Sequence, residues 1–100
     1  MNAAVGASRR IYRDVIPVDD QWHELRLCGP IVHVATRHED AVEVWHVHDP
    51  GQPVTVHAFC VVGTGHPVPP DAVDHVGSAI TPSCRFVWHL MLRAQPGQGG

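Results

Sequence analysis

"IVHVATRHEDAVEVWHVH", residues 31–48, decides the fold. Valine recurs at alternate positions on both sides of a polar break, His38-Glu39-Asp40. Alternation at a period of two belongs to a pleated strand, and β-branched side chains suit that surface. Two such runs around a short polar turn read as an antiparallel hairpin.

The pattern extends in both directions. Upstream, "RIYRDVI" (10–16) is a first strand, and "QWHELRL" (21–27) alternates. In the latter, His23, Leu25 and Leu27 share one face, Trp22, Glu24 and Arg26 the other, and Gly29-Pro30 ends the run. Downstream, "DPGQP" (49–53) is dense turn chemistry. "VTVHAFCVV" (54–62) is nearly continuous in apolar content, as expected of a central strand covered on both faces. "CRFVWHLML" (84–92) is the last strand, and "PPDAVDHVGSAI" (69–80) has room for one short helical turn near 71–76, stopped at Gly77. No stretch of ten or more residues carries a 3.6-residue stripe. The expectation is all-β: a small antiparallel β-sandwich or barrel of six or seven strands.

One hundred residues make one domain. It is expected over 9–94, between a flexible N-terminal arm (1–8) and a flexible tail (95–100). A chain of this size buries roughly 60–70% of its unfolded surface. A deep private cavity is hard to fit, and self-association into a homo-oligomer is the expected remedy. The net charge is −3, lysine is absent, and the seven arginines are spread thinly. The single cluster, Arg9, Arg10 and Arg13, reads as a solvated arm, so no nucleic acid partner is expected. No run approaches the ~18 apolar residues of a membrane span. Cys28, Cys60 and Cys84 form no Cys-x-x-Cys pair, and no apolar signal region opens the chain. Reduced thiols in a cytosol are the expectation.

"VVGTGHPVPP" (61–70) carries the densest local signal. A phosphate-cradling P-loop needs a lysine and a following helix, and here Pro67 removes an amide and lysine is missing. A dinucleotide fingerprint needs a third glycine in a βαβ setting. Two readings stay open. In one, the amides of Thr64 and Gly65 and the imidazole of His66 face a ligand. In the other, glycines and prolines build a rigid corner.

Residues 49–80, followed by "FVWHLML", resemble a family of small phage-encoded proteins of unknown function. That family is marked by a Gly-Thr-Gly-His-Pro-x-Pro loop after a long strand. The matching positions are Asp49, Pro50, Gly63, Thr64, Gly65, His66, Pro67, Pro69, Gly77, Ser78, Trp88 and His89. The hairpin of 29–47 fits as well, so the resemblance covers about residues 10–92. It implies a phage or prophage setting, in the cytoplasm of the infected bacterial host, and no particular activity.

Nine histidines raise a metal reading. His46 and His48 fall on one face of one strand, and His57, with His89, on neighbouring strands. Such a set, with Asp49 beside it, is how a β-barrel holds zinc. Sheet-surface or interface histidines are the alternative, and no cofactor is required. No catalytic set stands out. Cys60 reads as an apolar filler in mid-strand. Ser78, Ser83 and Cys84 lack a nucleophile elbow, and Asp19-Asp20, Glu39-Asp40, Asp71 and Asp74 read as turn residues. Trp22, Trp45 and Trp88 fit either a core or a stacking platform. The leading expectation is a non-enzymatic accessory protein that binds a host protein or a small host ligand such as a nucleotide signal. Thr64, Gly65, His66, Trp88 and His89 form its ligand site, with an arginine nearby. A histidine-based metal-binding β-barrel, as a binding module or a metal-dependent enzyme, and a structural or assembly protein are the alternatives.

Overall fold

A computed structural model describes residues 8–94. Seven strands follow one another: β1 (Arg10–Pro17), β2 (His23–Leu27), β3 (Ile31–Ala35), β4 (Ala41–His48), β5 (Thr55–Gly63), β6 (Ala72–Ile80) and β7 (Val87–Arg93). They form two sheets, in the orders β1-β4-β3 and β2-β5-β7-β6. Every pairing is antiparallel. The expected hairpin is β3–β4, with Val34 opposite Val44. The long apolar strand is internal, flanked by β2 and β7. The expected arm and tail lie outside the described residues, except for Ser8.

Two sheets packed face to face bury the inward half of each alternating strand. Ile16, Val42 and Val44 of the three-stranded sheet meet Leu27, Phe59, Val61, Ala79 and Leu90 of the other. Phe59, the largest fully buried side chain, belongs to this cluster. Truncating it to alanine would cost about 3–5 kcal/mol. This separation into two sheets makes the fold a small β-sandwich and not a closed barrel.

The expected helical turn near 71–76 is absent. Those residues belong to β6, which pairs with β7 from Ala72 opposite Arg93 to Ile80 opposite Val87. Two register shifts, between Ala72 and Asp74 and between His75 and Gly77, break the simple alternation. Each bulge inserts a residue and moves the apolar positions out of phase, which hides a strand from a period-two reading. Gly77 is not a stop. A Cβ there would lie 2.8 Å from Val34 Cγ2, so its lack of a side chain lets β6 approach β3 of the opposite sheet.

The last strand begins at Val87 and not at Cys84. The segment before it is a turn, closed by bonds from Thr81 N to Phe86 O and from Cys84 N to Thr81 O. Cys84 takes a left-handed φ of 62° within it. Glu39, in the β3–β4 turn, accepts from Ser83 N at 2.9 Å and Ser83 Oγ at 2.6 Å. Trp88 Nε1 donates to Glu39 O at 2.9 Å. One end of the sandwich is therefore tied across its two sheets by polar contacts.

Candidate functional site

The β5–β6 connection begins where β5 runs out at Gly63. His66 N bonds back to Gly63 O at 3.0 Å, which closes the turn, and Gly65 takes φ 87°, open to glycine at little cost. Gly63 itself is needed for space. A Cβ at that position would sit 3.0 Å from Trp88 Cζ3 and 3.1 Å from His66 Nδ1. Its absence brings the Trp88 and His66 rings against the same strip of backbone.

A recess of about 160 Å³ opens there. Thr64, His66, Arg85, Phe86 and Trp88 line it. Phe86 stacks on Trp88 with ring centroids 5.3 Å apart and planes 16° apart, yet remains 45% exposed. The recess therefore offers an aromatic face, a guanidinium, an imidazole and a hydroxyl. These groups suit a flat ring attached to an anion.

The remainder of the loop turns to the other side of the sheet. Phe59 and Val61 point into the core opposite Leu92 and Leu90, so Cys60 and Val62 point away from it. Both are nonetheless buried. They form the floor of a cleft of about 400 Å³, walled by Pro67, Val68 and Pro69, with Asp20 at one side. A cleft of this volume falls within the range of small-molecule sites. His66 and Gly63 line cleft and recess alike. Burial, with Asp71 and Asp20 adding to it, pushes the Cys60 thiol above its ordinary range.

Four of the five ligand residues expected from sequence are thus on or beside one loop. The fifth, His89, is placed differently. Neighbours on a strand face opposite ways, so His89 points away from Trp88. Its Nε2 lies 2.7 Å from Thr64 Oγ1 and its Nδ1 2.7 Å from Ser78 Oγ. Ser78 Oγ is also 2.9 Å from His75 Nε2. His89 lines neither the recess nor the cleft and holds the Thr64 hydroxyl in place. The sequence reading missed Arg85, Phe86 and His75. A basic residue beside an aromatic pair spaced by one position, "RFVW", was the available signal for the first two.

The proposed metal ligands do not converge. Among the described residues, no three His, Cys, Asp or Glu side chains group to hold a metal ion. His46 and His48 are on β4 of one sheet and His57 on β5 of the other. His46 is buried, and its Nε2 donates to Asp14 Oδ2 at 2.7 Å. His48 Nδ1 lies 3.2 Å from Cys28 Sγ, and His57 Nε2 lies 2.8 Å from Thr55 Oγ1. The spacing was right for a shared face on β4, but sequence could not show that β5 leaves for the opposite sheet.

Two nucleophiles lie against a base, Ser78 against His75 and His89, and Cys28 against His48. Neither lines the recess or the cleft.

These observations define a two-sheet β-sandwich with a proline-walled cleft and an aromatic recess joined by one loop. The chain belongs to a family described as a domain of unknown function, DUF7352, whose model matches residues 7–99. No curated protein and no solved structure matches it.

Proposed function

We propose that the chain is a non-enzymatic binding protein whose loop at 63–70 receives a small anionic ligand carrying a flat ring, of the nucleotide class. The carrying observation is the convergence of Thr64, His66, Arg85, Phe86 and Trp88 on one recess that opens beside a larger cleft. The ring lies on the exposed face of Phe86. Arg85 pairs with the anion, the Thr64 hydroxyl adds a hydrogen bond, and the cleft takes the remaining bulk. His89 and Ser78 act behind the site by fixing Thr64. The resemblance to phage-encoded proteins supports an accessory role in an infected bacterial cell, where the ligand is a host signal.

Native mass spectrometry of protein purified from cells comes first, followed by calorimetry with nucleoside mono-, di- and triphosphates. A defined extra mass per chain, or a Kd tighter than about 1 mM that weakens at least tenfold in Arg85→Ala and Phe86→Ala, is the expected result. A bare chain that binds none of these compounds overturns the proposal in favour of a protein partner.

A further inference from the structure

A sandwich of two open sheets has four edge strands, each with unpaired backbone groups, and natural proteins blunt such edges. Three of the four are blunted here. β2 and β3 have five residues each, and β3 also carries a register shift. β6 carries two shifts. β1 is different. It has eight residues, pairs with β4 from Arg10 to Pro17 without irregularity, and among the described residues no strand pairs with its other edge. It also exposes Ile11 (60%), Tyr12 (45%) and Val15 (46%).

We infer that β1 is a self-association edge, pairing antiparallel with β1 of a second copy of this chain about a two-fold axis through Tyr12. The argument comes from the charges. A two-fold axis perpendicular to the sheet keeps each side chain on its own face, so opposed residues share parity. With Tyr12 on the axis, Tyr12 meets its own copy, Ile11 meets Arg13, and Arg10 meets Asp14 twice over. Opposite charges directly across a strand pair stabilise it and like charges oppose it. Moving the axis to Ile11 sets Arg9 against Arg13, and moving it to Arg13 sets that arginine against itself. An axis at Asp14 opposes two carboxylates. The Tyr12 register alone among these four pairs opposite charges and avoids a clash.

The surrounding contacts fit this seam. Asp14 keeps one oxygen on His46 and is still half exposed, so it has room for a second cation. Arg13 remains with its own Glu43. Arg10 is exposed and free to reach across. The result is one continuous six-stranded sheet, β3-β4-β1 followed by β1-β4-β3 of the second copy. The seam lies on the sheet that does not carry the loop at 63–70, so it stands apart from the ligand proposal.

Light scattering across the micromolar range, combined with cysteine cross-linking in a Cys84→Ser background, tests it. The expected result is a dimer that Arg10→Asp converts to monomer, because Asp at position 10 would then face Asp14 of the second copy. Tyr12→Cys is expected to bridge to its own copy on mild oxidation, since directly opposed Cβ atoms lie about 4.5–5.5 Å apart. Val15→Cys, opposed to Arg9, is not. A monomer at all concentrations overturns the inference. So does a dimer indifferent to Arg10→Asp, or one in which Val15→Cys bridges as fast as Tyr12→Cys. Arg10→Asp changes only an exposed charge, so it decides the question even if Tyr12→Cys fails to fold.

Discussion

Glu43 has no exposed surface, although it stands on the outward face of β4. Its Oε1 accepts from Arg37 N at 3.0 Å and Nε at 2.9 Å, and Arg37 Nη2 takes the other oxygen. Arg13 reaches the same oxygen at 3.3 Å. Arg37 is itself mostly exposed, so the carboxylate lies under a single layer of guanidinium and is not sunk in the core. The Arg37 hydrogen bonds hold its pKa down, from an ordinary 4.5 to about 2, against the opposing cost of burial. A depressed folded pKa contributes stability above the unfolded value that is lost as pH falls through the folded one. Stability should therefore decline between about pH 4.5 and pH 2, and Glu43→Gln should flatten that decline in denaturant titrations run across the window. Asp19, lowered by its bond to His23, and Glu39, lowered by Ser83, add to the same slope. The cysteines offer a second check at this scale. Cys28 and Cys60 are buried and Cys84 is exposed. A thiol reagent should titrate one group rapidly in the native protein and three in denaturant, and Cys84→Ser should abolish the fast phase.

At the scale of elements, two glycines carry the close approaches. Gly77 lets β6 lie against Val34, and a methyl group there meets Cγ2 at 2.8 Å and Cβ at 2.9 Å. Gly77→Ala should cost about 1–3 kcal/mol through overpacking, read as a lowered denaturation midpoint. Gly63→Ala should act more on the site than on the fold, because the atoms in its way are the ends of the Trp88 and His66 rings. Its expected signature is a shift of tryptophan fluorescence with a small change in stability and, on the proposed function, weakened ligand binding. The elements also show what a linear reading can and cannot recover. β1 to β5 are legible because their apolar side chains alternate or run on over most of each strand, and the single register shift of β3 lies at its start. β6 is not, because its two bulges reset the phase. The loop at 63–70 is recognisable by composition, but the surfaces that it forms are not. It is a corner whose prolines cover Cys60 and Val62, and the same corner walls the cleft.

At the scale of the whole molecule, the sheets are joined by the core and, at one end, by Glu39. That residue links the β3–β4 turn to Ser83, while its carbonyl takes the Trp88 indole N–H. Glu39→Ala should lower the thermal midpoint by removing both bonds to Ser83, while the backbone carbonyl that takes the Trp88 indole remains. A substitution at an exposed position of β2, such as Glu24→Ala, should not. The sequence by itself determined the all-β class, the β3–β4 hairpin, the central place of β5 and the turn at the Gly-Thr-Gly-His-Pro stretch. Each of these rests on local chemistry: side-chain alternation, turn residues and backbone freedom within a few positions of chain. Tertiary structure alone decided that β4 and β5 enter different sheets, that His46, His48 and His57 consequently part, and that Arg85 and Phe86 come to the loop. It alone left β1, among the described residues, as an edge strand paired without irregularity. Those outcomes depend on which strands pair across long separations, and the energy that selects a pairing comes from burying two whole sheet faces together, which no short stretch of sequence encodes.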